Sequence, residues 1–193
     1  MKKKVFTSLG LMTGTSMDGV DLSIIKSDGY NEFTAILDKY YEFNGDLQKN
    51  LINLRTKINI FDDLEKYSFE IHEIEKKFTL FNVDIINKVL KDKNLNIDLV
   101  GFHGQTIFHN PQKKISFQLG NGKLLSQMIK SIVINNFRAN DLKNNGQGAP
   151  LTPIFHQLIS NLIFKKYKIQ FPINIINIGG ITNITQIIKN DVS

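Results

Sequence analysis

Gly14 and Gly19 bracket Thr15, Ser16, Met17 and Asp18 in the stretch GLMTGTSMDGVDLSII, residues 10–25. Two glycines four residues apart match the spacing of a Walker-type phosphate loop, but that loop needs Lys and then Ser or Thr directly after the second glycine. Val20 and Asp21 stand there instead. The residues after Gly19 alternate as a strand, so a phosphate at this bend would be held by backbone amides and by the Thr15 and Ser16 hydroxyls. A bare carboxylate beside phosphates repels them, which gives Asp18 a magnesium ion to face, directly or through water. A nucleophile elbow, G-x-S-x-G, fits poorly because the second glycine comes one residue late. A plain glycine-containing hairpin turn stays open on spacing alone.

Four further stretches carry polar chemistry. In RANDLKNNGQGAPLTP, residues 138–153, Arg138 and Asp141 precede a Gly-Gln-Gly run. One partly buried Asp with a nearby water is enough for general-base work. The alternative is that Asp141 caps a turn or pairs with Arg138. GFHGQTIFHNP holds His103 and His109, too far apart for adjacent helical turns and without a carboxylate cluster, which argues against a metal. It reads as a polar turn whose His103, Gln105 and Thr106 reach a sugar or nucleotide, or whose histidine is simply structural. His72 and His156 take the structural reading. GNG, residues 120–122, is a weak anion seat at a helix start. In NIGGITNIT, residues 177–185, Gly179 and Gly180 expose amides between two strands, with Thr182 and Asn183 as donors. Two such loops suggest a phosphate chain gripped from both sides.

Elements must hold these groups. Residues 5–12, 20–26 and about 32–43 read as an antiparallel meander whose second turn is SDGY. Helices follow at about 46–57 and 62–91, the second marked by an apolar stripe from Leu64 to Val89 that reads as core. Strands at 97–102 and 115–119, a helix at 122–130 and a strand at 131–137 continue an α/β pattern. Residues 138–153 read as a breaker-rich loop, followed by a helix at 154–168 and a strand, glycine turn and strand. The opening and closing hairpins are the nearest thing to an internal repeat.

The totals set outer bounds. A chain of 193 residues is one domain, or one and part of another, at ~100–200 residues each. Its net charge of +6 comes mostly from dispersed lysines, which argues against a nucleic-acid partner. With no cysteine neither disulfides nor thiolate metal sites can form. Apolar runs fall short of the ~20 residues that span a bilayer, and MKKKVFTSLGLM lacks a cleavage site, so a strand and a cytoplasmic protein are expected.

Taken in order, GLMTGTSMDGVD, GFHGQTIFHNP, NFRANDLKNNGQGAPLTPIFH and NIGGITNIT resemble the anhydro-N-acetylmuramic acid kinase family, from Gly10 to Thr185. The resemblance implies the sugar kinase, Hsp70 and actin class, in which two ribonuclease-H-like lobes close on ATP and each opens with a phosphate-binding hairpin. The expected fold is therefore a mixed sheet flanked by helices, plus the first hairpin of a second lobe. Residues 1–150 would form the first lobe, 151–170 a connecting helix and 171–193 the start of the second lobe. Gly14 to Asp21, Val20 included, would meet ATP and Mg²⁺ on one side and Gly179 and Gly180 on the other. The implied reaction opens the 1,6-anhydro sugar with water while O6 takes the γ-phosphate, a step in peptidoglycan recycling. The family's catalytic base matches Asp141, with His103, Gln105, Thr106, Arg138 and Gln147 on the sugar side. Asn136 departs from the usual Asp before Phe137, and Asn145 stands where glycine is common. Because Ser193 comes soon after the second lobe begins, an incomplete chain is expected. A non-catalytic sugar- or nucleotide-binding module, or a half that joins a separate lobe, are the alternatives, with a homodimer among the assemblies open to it.

Overall fold

The computed structural model describes residues 4–178 and 182–188. Its centre is a five-stranded sheet in the order β3-β2-β1-β4-β7, built from β1 (Phe6–Met12), β2 (Gly19–Ser27), β3 (Phe33–Glu42), β4 (Leu99–Phe102) and β7 (Ile132–Ile134). β1 to β3 form the antiparallel meander, while β4 and β7 run parallel to β1. This is the mixed α/β sheet that the resemblance implies. Asp28 turns the second hairpin, its Oδ1 accepting the N–H groups of Tyr30, Asn31 and Glu32.

Leu9 and Leu11, Val20, Leu22 and Ile24, and Val100 and Phe102 are buried at alternate positions, so one sheet face forms the core. Two helices supply its other half: α1 (Gly45–Lys57) through Leu47, Leu51 and Leu54, and α3 (Ser68–Lys93) through Ile74, Phe78, Ile86 and Val89. The Phe78 ring stacks on Phe102 with centroids 6.0 Å apart, locking α3 to β4. Burial of such side chains contributes ~1.5–3 kcal/mol each.

Four sequence expectations are corrected. The helix expected at 62–91 is two, α2 (Asp63–Lys66) and α3, parted at Tyr67, whose φ of −104° and ψ of 20° leave the helical region. The supposed polar turn around His103 contains a strand, β5 (Gln105–Asn110), paired antiparallel with β6 (Ile115–Leu119). Its ladder slips between Thr106 and Phe108, so the neighbours Ile107 and Phe108 are both buried and alternation, the cue for a strand, is lost. The strand expected at 131–137 stops at Ile134. The loop expected from 138 begins instead as a short helix, α5 (Phe137–Lys143). Its Asn- and Asp-rich sequence favours turns locally, but buried Leu142 and the Phe137 ring, set against Gly101, hold it to the sheet.

Between β6 and β7 lies α4 (Gly122–Ile129). The chain continues through α6 (Pro153–Tyr167) into a separate hairpin, β8 (Ile173–Asn177) and β9 (Asn183–Ile187). α6 reaches back to β3 through the Phe33 and Phe155 rings, 5.1 Å apart, and forward to β9 through His156 Nδ1, 2.9 Å from Thr185 Oγ1. No described helix is long and apolar enough to cross a membrane.

Candidate active site

β1, β4 and β7 are parallel, so their carboxyl ends lie on one side of the sheet. The segments that leave those ends are the glycine bend 13–18, the stretch His103–Gln105, and α5 with Arg138 and Asp141. Ligands of α/β sheets characteristically bind at such strand ends. The His103 N–H donates to the Leu11 carbonyl at 3.3 Å, tying the second segment to β1 just before the glycine bend.

The glycine bend is closed by the Met17 N–H donating to the Gly14 carbonyl at 3.3 Å, with Met17 at a φ of 55°. The Met17 and Val20 side chains are buried in the core, so only their backbone faces a ligand, whereas Thr15, Ser16, Asp18 and Asp21 are exposed. The Ser16 hydroxyl donates to Asp18 Oδ1 at 2.6 Å. That bond, with smaller help from nearby backbone N–H groups and the Tyr40 hydroxyl, holds the Asp18 carboxyl below its usual range. It is therefore ionised at neutral pH and suited to a cation. Gly19 is required by close approach: a Cβ there would overlap the Tyr41 carbonyl and lie 2.6 Å from the Tyr40 ring.

Sequence reasoning missed Tyr40. Loss of hydration and then the charges of Asp18, Glu42 and Asp21 raise its phenol above the ordinary value. The SDGY turn alone pairs Ser27 with Phe33 and would carry Val20 opposite Tyr40. A bulge between Ile24 and Ile25 shifts the register, so Tyr40 faces Asp21 instead. A one-residue shift exchanges sheet faces, and no local residue type signals it.

Asp141 lies on α5, half-buried, and organises the turn that follows. Its backbone carbonyl accepts the Gly146 N–H at 2.9 Å and its Oδ2 accepts the Gly148 N–H at 2.7 Å. The expectation that Asp141 caps a turn is thus met, while pairing with Arg138 is replaced by a link through Gly148, whose carbonyl accepts from Arg138 Nη1 at 2.9 Å. Among the described residues nothing bonds Asp141 Oδ1, so one oxygen remains for a water. Gly146 lets the carboxylate lie flat on the turn, since a Cβ there would overlap it. Asn145 has a φ of 68°. Asn tolerates this left-handed conformation better than most residues, and its Oδ1 accepts from Lys114 Nζ at 2.8 Å. Asn136, before α5, is left-handed as well, with a φ of 58°.

Arg138 Nε donates to His103 Nε2 at 2.9 Å, and His103 Nδ1 lies 2.7 Å from the Gly104 carbonyl. Burial and then the guanidinium charge lower the His103 pKa, opposed by the Gly104 carbonyl. His109 is lowered by the same two causes, opposed by the Gln147 backbone. Burial alone lowers that of Arg138. Thr106 Oγ1 donates to Gln118 Oε1 at 2.7 Å, Gln118 Nε2 donates to Ser116 Oγ at 2.8 Å, and Ser116 Oγ meets His109 Nδ1 at 3.1 Å. Gln105 is fully buried beside them with its Oε1 unpartnered among the described residues. Gln147 is exposed on the turn.

Other candidates fall away or outside. The Gly120, Asn121 and Leu124 N–H groups are taken by Glu75 Oε1, Thr79 Oγ1 and Asn121 Oδ1, so the GNG turn serves packing. Gly179 and Gly180 lie outside the described residues. Among the described residues no three His, Asp or Glu converge as a metal cage. A single carboxylate still fits magnesium, which commonly takes one or two carboxylates together with substrate phosphates.

A family model described as anhydro-N-acetylmuramic acid kinase matches residues 6–193. A protein of that name from Pelagibacter ubique is 53% identical over 189 residues, covering 98% of this chain and 49% of its own length. Namesakes from Bradyrhizobium diazoefficiens and Agrobacterium fabrum are 34% and 33% identical over 97% and 95% of this chain, and 51% and 50% of theirs. The chain spans about half the length of the curated relatives it matches.

Proposed function

The chain belongs to the anhydro-N-acetylmuramic acid kinase family, and on that premise we propose that it carries the catalytic base, a sugar side and one phosphate hairpin of an ATP-dependent kinase. The reaction opens 1,6-anhydro-N-acetylmuramic acid with water and phosphorylates its O6. The observation that carries this reading is the convergence of the glycine bend, His103–Gln105 and Asp141 at the carboxyl ends of three parallel strands.

Asp141 Oδ1 takes a proton from the water that attacks the anomeric carbon, as the base of an inverting glycosidase does. Its Oδ2, held by the Gly148 N–H, fixes the carboxylate's direction. The bond from the anomeric carbon to O6 breaks, and bound ATP supplies the γ-phosphoryl group that O6 receives. No separate acid is needed, so the other residues position and neutralise. Arg138, Thr106 and Gln147 line the sugar side, with His103 bonded to Arg138 and Gln105 fully buried beside them. Gly14 to Asp21 cradle the phosphates, with the Thr15 and Ser16 hydroxyls exposed and Asp18 set toward Mg²⁺; Gly179 and Gly180 belong to the opposing hairpin. The products are N-acetylmuramic acid 6-phosphate and ADP.

The same proposal assigns residues 1–150 to the first lobe, 151–170 to a connecting helix and 171–193 to the opening of a second lobe. Work in the cytoplasm on sugar recovered from peptidoglycan, by a monomer or a homodimer, belongs to it too. Calorimetry of this chain with the anhydro sugar and with Mg²⁺·ATP separately is the test. Saturable binding of each is expected; binding of neither overturns the reading for this chain.

A further inference from the structure

We propose that His103 is a positioning residue for Arg138, locked in one neutral tautomer, and that it acts on the sugar site only through the guanidinium. This deepens the reading of Arg138 and Asp141 given above and rests on it.

A carbonyl only accepts, so His103 Nδ1, 2.7 Å from the Gly104 carbonyl, carries the ring proton. A guanidinium only donates, so His103 Nε2, 2.9 Å from Arg138 Nε, is the bare acceptor. Both ring nitrogens are thereby used, and the half-buried ring has no donor or acceptor left for a sugar hydroxyl. Which nitrogen bears the proton is fixed by the Gly104 backbone, in the way a second hydrogen bond fixes a histidine tautomer.

Arg138 gains a fixed plane from this arrangement. Nε is tied to His103 and one Nη1 proton to the Gly148 carbonyl. Three of its five N–H groups remain without a protein partner among the described residues, held in a set direction. The Gly148 N–H in turn holds Asp141 Oδ2. His103 thus ends a chain of four groups that leads to the general base, and its removal frees the guanidinium to rotate without touching the carboxylate.

The experiment compares the wild-type chain with His103→Leu and His103→Gln. Leu removes the acceptor, whereas Gln offers Oε1 near the place of Nε2. Nitrogen NMR of the wild type is expected to show His103 protonated at Nδ1 and a downfield, slowly exchanging Arg138 Nε–H. That resonance is lost in His103→Leu and kept in His103→Gln. Affinity for the anhydro sugar should fall about tenfold in His103→Leu, the usual size for a charge-assisted bond, and change by less than about threefold in His103→Gln. A proton at Nε2 in the wild type, an unaltered Arg138 Nε–H in His103→Leu, or equal damage by both variants would overturn the proposal. Failure of the wild-type chain to bind the sugar would count against the functional reading alone, because the NMR signatures need no sugar.

Discussion

Arg138 and Asp141 stand one helical turn apart on α5 and are joined through Gly148 rather than to each other, the glycine giving its carbonyl to the guanidinium and its N–H to the carboxylate. A direct ion pair would occupy the carboxylate proposed as the base. The glycine bridge keeps cation and carboxylate close while leaving Asp141 Oδ1 open.

Asp141→Asn tests the base. The amide oxygen can still accept the Gly148 N–H, so the turn persists while the proton acceptor is lost. In a full-length protein of this family, turnover is expected to fall about 10²- to 10⁴-fold with ATP affinity nearly intact. Turnover at the wild-type rate would remove Asp141 from the mechanism.

Gly146→Ala tests the placement of that carboxylate. Gly146 is not among the residues of positive φ, so the cost is steric: the new Cβ overlaps Asp141. Overpacking of this kind costs ~1–3 kcal/mol. A lower melting temperature, and turnover reduced at least as much as sugar affinity, are expected; unchanged values of all three would show that the carboxylate moves aside freely.

Ser16→Ala tests the phosphate bend. The Ser16 hydroxyl is the main cause of the lowered Asp18 pKa, so its loss should move the Asp18 titration upward, read by carbon NMR of the carboxyl. Asp18→Ala should weaken Mg²⁺·ATP binding and spare sugar binding. Equal Mg²⁺·ATP affinity before and after that change would argue against a metal-facing role.

The two lowered histidines make stability depend on pH. Folded His103 and His109 bind protons less readily than the ordinary imidazole of pKa ~6.5. Between that value and their folded pKa the unfolded chain holds more protons. The stabilisation is complete above about pH 6.5 and is lost as pH falls toward the folded values. Urea midpoints at pH 7.5 and 5.5 should differ in that direction, and less so in His103→Gln; identical midpoints would contradict it.

Asn145 should separate backbone strain from side-chain bonding. At a φ of 68° an alanine Cβ costs roughly 1–2 kcal/mol. Asn145→Ala is therefore expected to lower the urea midpoint and Asn145→Gly to leave it nearly unchanged, because the lost Lys114 contact is solvent-exposed and weak. Equal effects would place the energy in the side chain.

The strands and long helices of the lobe were legible because their apolar residues repeat at the period of the element. α5 was not. Seven residues, FRANDLK, are too few for a helical stripe, and two of them, Asn140 and Asp141, prefer turns. β5 was hidden by its bulge, which buries Ile107 and Phe108 side by side. The site divides in the same way. Gly14, Asp18, Arg138 and Asp141 stood out by type and spacing, whereas Tyr40 enters the site only through a register shift in a neighbouring strand pair.

By itself the sequence determined the absence of a phosphate-loop lysine, the carboxylates available for metal and base, and four ordered motifs sufficient for the family. Spacing and side-chain chemistry are local properties and survive without coordinates. The tertiary structure decided which of these groups meet. Parallel pairing of β1, β4 and β7 brings segments about ninety and thirty-five residues apart to one sheet edge, and there the Arg138 guanidinium meets His103 Nε2. Both outcomes depend on which strands pair across the fold, a property that no single stretch of chain carries.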